Sequence, residues 1–421
     1  MTTSSQVVAA PAGLFGWWHE ATPHAKRALI AASLGWMLDS FDVMLYSLVL
    51  AYLMADLAMT TTTAGLLGSL TLLASAAGGM VFGVIADRYG RTRALMGSIL
   101  IYSIFTAACG LAQSVRQLAI FRVLLGIGMG GEWASGAALV SETWPAEHRG
   151  KALGFMQSSW AIGYAAAAAV TAIVLPIWGW RAVFFVGVLP AFITIWVRRR
   201  VEEPEIWRES RIVQSDERVA AFGDIFRGHL LPLTVAVTLM NASTMFAWWG
   251  FNLWIPAYLS LPTDQGGVGL SAYAMSGLII AMQVGMWFGY VTFGFVSDRF
   301  GRKMTYVVYL TAAAALILSY ASTRNPLVLL LLGPFVAFFG TGYFSGFGAI
   351  TAEIYPTRIR ATAQGFTYNI GRVASAVAPF TVGSLAGTHG FRLALSTTAI
   401  AFLLAALAWV WIPETKGRQL A

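Results

Sequence analysis

Long apolar runs alternate with short polar breaks along the whole chain. Twelve runs reach membrane-spanning length, near 28–53, 64–86, 94–113, 117–141, 151–175, 181–198, 232–259, 273–297, 304–322, 327–354, 362–386 and 391–412. A helix needs about 20 residues to cross hydrocarbon. Lipid offers no partner to a free backbone amide, so each run is predicted as a helix. Twelve crossings return both termini to one side. The longest polar stretch, 198–229, mixes charges of both signs and reads as a linker. The expected organisation is a tail 1–27, a six-helix bundle 28–198, a linker 199–231, a second bundle 232–412 and a tail 413–421. This is an all-α integral membrane protein with 12 transmembrane helices in two six-helix bundles.

Composition supports the bilayer as solvent. Of the 421 residues, 57% are hydrophobic and 11% charged, against about 25% charged in soluble domains. A water-soluble chain of this length has no way to hide that much apolar surface. The net charge of +8 suggests nucleic acid until its distribution is examined. If the termini are cytoplasmic, that side carries 21 of the 27 Lys and Arg, and the opposite face holds Arg116, Arg181, Arg324 and Arg392. The positive-inside rule then orients the chain with both termini in the cytoplasm of a bacterial-type inner membrane. No nucleic-acid partner is expected. The single cysteine, Cys109, excludes an intrachain disulfide, and no thiol-metal site or cofactor is indicated. No cleavable leader is expected, the first helix serving as the insertion signal. "GIGMGG" (126–131) spells a dinucleotide fingerprint, but it lies inside an apolar run and follows no strand. There glycines permit close helix packing.

The two halves are related. "GVIADRYGR" from Gly83 returns as "GFVSDRFGR" from Gly294, an offset of 211. The same offset carries Glu142 onto Glu353, Pro145 onto Pro356, Arg149 onto Arg360 and Gly154 onto Gly365. Internal duplication in a membrane protein points to a transporter with its site at the repeat interface near the midplane.

These residues resemble the major facilitator superfamily. The doubled loop motif is similar to that superfamily's signature between its second and third helices. "EEPEIW" (202–207) and "IPETKGR" (412–418) resemble landmarks of its sugar-porter branch. "DSFD" (39–42), "GIGMGGEW" (126–133), "QSSWAIG" (157–163) and "YNIGR" (368–372) most resemble the proton-coupled organic-acid branches, especially the sialate and monocarboxylate group. Aromatic-acid symporters share the first-helix acids but usually lack an acid at the place of Glu132. The resemblance implies that Asp87, Arg88, Arg91, Glu142 and Arg149, with Asp298, Arg299, Arg302, Glu353 and Arg360, form cytoplasmic charge clamps that break on inward opening. The bland alternative is a set of solvated, topology-setting arginines.

The candidate chemistry lies in the spans. A charge at the bilayer centre costs roughly 2.5–3.5 kcal/mol. Asp39 and Asp42 share one helical face, which Tyr46 extends. Two acids so close disfavour joint ionisation, so the pair is a candidate proton site together with Glu132. Arg372 falls near the midplane, and its forked donors suit a carboxylate. Arg372 is the candidate anion anchor, with Arg122, Tyr46, Gln157, Asn252, Gln283, Tyr343, Tyr368 and Asn369 as candidate cavity residues. Asn252 occupies roughly the place of Asp42 in the second half. Structural alternatives stay open: acids paired to Arg122 or hydroxyls, or a fixed Arg372–Glu132 ion pair. No histidine falls in a predicted span, so protons must ride on carboxylates. The expected activity is proton symport of a small organic anion, a monocarboxylate or a sialic-acid-like sugar acid, by a monomer. A neutral-sugar or drug-type facilitator, an aromatic-acid symporter and a transport-dead sensor are the alternatives.

Overall fold

The computed structural model describes residues 16–192, 196, 225–228 and 230–416, without the side chains of 16, 87, 133, 134, 146, 147, 352, 357, 358 and 360–362. Most of the predicted linker 199–231, the first 15 residues and the last five lie outside the described residues.

A short α1 (Gly16–Glu20) leads into α2 (Pro23–Asp56), which Thr22 starts by accepting the Ala25 amide. Then come α3 (Thr61–Tyr89), α4 (Arg91–Cys109), α5 (Val115–Thr143) and α6 (Ala146–Val186). The second half holds α7 (Leu230–Ser260), α8 (Ala272–Phe300), α9 (Arg302–Ala321), α10 (Pro326–Thr341), α11 (Phe347–Ile354), α12 (Thr357–His389) and α13 (Phe391–Ala408). Ten helices among the described residues are long and apolar enough to span a membrane. One of them, α6, contains two predicted spans, because Gly179 (φ 75°) breaks its course. The remaining long helix, α12, is not among the ten, its first half being rich in polar residues. The polar residues include Gln364, Thr367, Asn369, Arg372 and Ser375.

The offset of 211 governs backbone as well as sequence. It carries the start and end of α3 onto those of α8, and the start of α4 onto that of α9. It also carries the left-handed turn glycines Gly90 (φ 119°) and Gly179 (φ 75°) onto Gly301 (φ 98°) and Gly390 (φ 82°). Only glycine takes such φ freely. One departure is instructive. The predicted span 327–354 is interrupted, since a 3-10 turn over Gly342–Gly346 separates α10 from α11. Gly342 lies against the Gly289 backbone and Gly346 against the Phe293 ring, so the glycines admit an approach that an unbroken, side-chain-bearing helix would block.

The bundles meet along α2 with α7, α3 with α12, and α6 with α8. Two ends of the molecule can be distinguished: the basic end, carrying the loops rich in Lys and Arg, and the far end. The far end is closed. Ser47 donates to the Leu253 carbonyl at 2.6 Å, the Phe380 amide donates to Ser69 at 3.1 Å, and Gly65 and Gly383 sit on the backbones of Pro379 and Thr61. Toward the basic end Gly83, Gly154, Gly294 and Gly365, on the same interface helices, face nothing within 4 Å. Among the described residues the bundles therefore stand apart on that side.

Candidate functional site

The buried charges sort into neighbourhoods. Asp39, Asp42, Glu132 and Arg122 are at most 1% exposed. Among the described residues no hydrogen-bond partner reaches either oxygen of Asp42 or Glu132, nor Oδ2 of Asp39. Asp39 (α2), Glu132 (α5) and Arg372 (α12) lie close enough to feel one another's charge. The third residue comes from the other bundle, so this group straddles the interface. Arg372 is half-buried. Its guanidinium lies 5.9 Å from the Tyr368 ring, and its Nη1 is 3.3 Å from where a Cβ on Gly79 would sit. The absence of a side chain at Gly79 makes room for it on α3. Glu132 likewise occupies space left by Gly35 on α2.

Asp42 lies one turn further toward the far end, beside Thr106 and over Gly187, where a Cβ would come within 3.0 Å of its Oδ1. Arg122 is separate from the acids. Its guanidinium stacks 3.9 Å from the Tyr46 ring, near Cys109, and its Nε and Nη1 have no acceptor. Tyr46 donates to the Ala64 carbonyl at 2.8 Å. The alternative in which Arg122 pairs with Asp39 or Asp42 is therefore not the arrangement found. A fixed Arg372–Glu132 ion pair is not found either, since both Glu132 oxygens are without partners.

The other cavity candidates divide. Gln157 lies beside the Tyr290 hydroxyl, across the α6–α8 seam. Gln283 is buried with its Oε1 unpartnered. Tyr343 sits in the 3-10 turn, donating at 3.4 Å to the Thr244 carbonyl. Asn252 belongs to the closed α2–α7 seam, its amide 3.4 Å from the Met44 sulfur. Asn369 is exposed and its amide turns back to Gly365 at 2.9 Å, away from the charge group.

At the basic end Arg91 forks onto Glu142, with Nη2 at 2.8 Å and Nε at 3.1 Å. Arg302 reaches Glu353 at 3.1 Å and also Asp298. Each pair joins helices of one bundle, and the bundles are apart there. Arg88 and Arg299 each lie 5.7 Å from a neighbouring ring, Tyr89 and Phe300. The Nε of Arg149 is buried without an acceptor among the described residues. The side chains of Asp87 and Arg360 lie outside the described set. Sequence reasoning overlooked Glu414, which accepts the amides of Arg302 at 2.8 Å and Lys303 at 3.1 Å, and Thr415, which bonds Glu353. The acid in "IPETKGR" was the available signal.

Comparison with known proteins bears on the family and the fold. The chain matches the family profile described as Major Facilitator Superfamily over residues 32–291 and 260–421. A Haemophilus influenzae protein named for metabolite transport is 36% identical, covering 94% of this chain and 97% of the other. The cis,cis-muconate transport protein of Acinetobacter baylyi is 32% identical, covering 90% and 92%. The sialic acid transporter NanX of Escherichia coli is 30% identical, covering 92% and 93%. A crystal structure of a D-xylose-proton symporter superposes with a TM-score of 0.76 at 22% identity, over 94% of this chain and 100% of that one.

Proposed function

The chain belongs to the Major Facilitator Superfamily and is a multi-pass membrane transporter, and from that premise we propose that it carries a small organic anion together with protons. The observation that carries this reading is the interface group of Asp39, Glu132 and Arg372, in which the acids have oxygens that no donor among the described residues reaches. A carboxyl sealed from water without a donor is a place where a proton can reside, since the neutral acid escapes the desolvation cost of the ion. Arg372 offers a carboxylate two parallel donors. When the cavity is empty, Asp39 and Glu132 balance its charge. When a substrate carboxylate takes Arg372, an acid is released from that duty and binds a proton. Anion and proton then move together, with Asp42 one turn further along as a second proton site. The relatives named for sialic acid and cis,cis-muconate both handle carboxylates, which supports an acid as the substrate.

The bundles, bounded as 28–198 and 232–412, would rock about this group in a monomer of the inner membrane, with both termini cytoplasmic. In that orientation the conformation described is closed to the outside. The Arg91–Glu142 and Arg302–Glu353 pairs stay within their own bundles, and an inner gate would form where these two charged clusters meet when the inner side closes.

The test is uptake of labelled lactate, pyruvate, sialic acid, benzoate and glucose into proteoliposomes under an inward proton gradient. Gradient-driven accumulation of an acid is expected, falling at least tenfold in Asp39→Asn and in Arg372→Ala. Accumulation of glucose unaffected by Arg372→Ala would leave a facilitator with structural charges and sink the symport reading.

A further inference from the structure

Three tryptophans form a continuous aromatic run across the bundle interface. Trp36 on α2 and Trp160 on α6 have ring centroids 4.6 Å apart, tilted by 48°. Trp160 then meets Trp249, on α7 of the second bundle, edge-on at 6.1 Å. Trp36 precedes Asp39 by three residues and Trp160 follows Gln157 by three, so each shares a helical face with a polar residue of the site. Counted along their helices at 1.5 Å per residue, all three fall in the middle of their spans. Trp36 and Trp160 are 6% and 4% exposed, yet neither indole N–H has an acceptor among the described residues. A buried donor left unmet is costly, and buried indoles usually find a partner. Trp144, Trp180 and Trp254 do so in this protein, on the Ala25 carbonyl, the Asp56 carboxylate and the Pro379 carbonyl, whereas Trp409, packed on the Tyr306 ring at 4.7 Å, is a further unmet indole outside this run.

We propose that Trp36, Trp160 and Trp249 are the aromatic end of the substrate site, and that they select a flat, conjugated carboxylate, an arene or diene acid, over a sugar acid. This rests on the organic-anion reading above and names the class of anion. A conjugated acid presents a π face and a hydrogen-bearing rim to the three rings, in the offset and edge-on arrangements they already use among themselves. Its carboxylate lies toward Arg372, and an oxygen on the ligand meets the unmet indole donors. A sugar acid brings many hydroxyls, each needing both a donor and an acceptor. The tryptophan wall supplies indole N–H donors and no acceptor, so the hydroxyls that face it lose water without full compensation. Trp249 comes from the second bundle, so the flat ligand is held from both sides of the interface.

The full-length protein in proteoliposomes tests this with labelled benzoate, sorbate and gluconate under an inward proton gradient. Benzoate and sorbate are expected to accumulate and to compete with each other, with gluconate failing to compete at a hundredfold excess. Trp249→Ala should raise the KM for benzoate at least tenfold with kcat little changed, and Trp249→Phe should restore it. Trp160→Phe, which keeps a ring and removes the donor, should raise KM by a smaller factor. Accumulation of gluconate with exclusion of benzoate and sorbate by the wild-type protein would overturn the aromatic assignment and leave the anion symport standing. An unchanged benzoate KM in Trp249→Ala would overturn it too. Failure of every acid to accumulate would overturn both.

Discussion

At the residue scale the protein is defined by where its symmetry stops. The offset of 211 repeats the turn glycines and the arginine–glutamate pairs, but not the buried charges. It carries Asp39 onto Gly250, Asp42 onto Leu253, Glu132 onto Tyr343 and Arg122 onto Gly333, while Arg372 corresponds to Ala161. Acids sit in one half and the anchoring arginine in the other, so their electrostatic coupling exists only between the bundles. The Gly35 contact offers a gentle probe of that coupling. A methyl there meets the Glu132 carboxylate, the movable end of a side chain, so Gly35→Ala should fold and displace the acid. We expect a shifted pH profile of uptake with wild-type expression, measured as initial rates from pH 5 to 8. An unchanged profile would remove Glu132 from the proton site. The charges were legible in the sequence because a charge inside a span is expensive and therefore rare. Trp36 and Trp160 were not, because aromatic residues are ordinary in membrane helices, and what sets these two apart is the combination of unmet N–H groups with a ring contact to Trp249 across the bundle interface.

At the element scale the spans themselves were legible, since apolar length translates directly into crossings. Their interruptions were not. Nothing local distinguishes the glycines that end a helix at Gly342–Gly346 from those that merely let α5 pack on α3, where Gly126 and Gly130 sit against the carbonyls of Thr71 and Ser75. The difference lies in the neighbour each glycine meets. The start of α9 shows a similar long-range dependence. Burial of Glu414 works against its charge, but amides of Lys416, Arg302, Lys303 and Thr415 overcome that and hold its carboxyl below the usual range. A depressed carboxyl stabilises the fold above its unfolded titration range, and the contribution disappears as pH falls through the folded value. Glu414→Gln should therefore lower the melting temperature in detergent at pH 7 and converge with wild type in acid. A carboxylate at a helix N-terminus contributes roughly 0.3–1 kcal/mol, so the shift at pH 7 is small. Parallel melting curves at both pH values would rule the cap out.

At the scale of the whole molecule, the described conformation combines a sealed far end with bundles standing apart at the basic end. The paired charges at the basic end stay inside their own bundles, as rigid bodies that rotate about a central site require. The positive-inside count that oriented the sequence predicts that the open side faces the cytoplasm. Because the only native cysteine, Cys109, is fully buried, single introduced cysteines can report this directly. Cysteines at Gly83 and Gly365 should react with an impermeant maleimide applied to inside-out vesicles and resist it in right-side-out vesicles. The reverse pattern would invert the topology.

The empty space beside Gly83, Gly154, Gly294 and Gly365 also sets a balance of populations. Rocking must close that space in the alternate state, so a side chain there is free of clash in one conformer and obstructive in the other. Differential interaction of this kind is all that shifts a two-state equilibrium, and each 1.4 kcal/mol is a tenfold change. Gly83→Leu should thus act like a bound effector without being one, holding the carrier in the form described and slowing turnover with binding intact. The filled glycines at the far end, Gly65 and Gly383, are the opposing lever: a side chain there penalises the same form, so the two sets of substitutions should cancel in a double mutant.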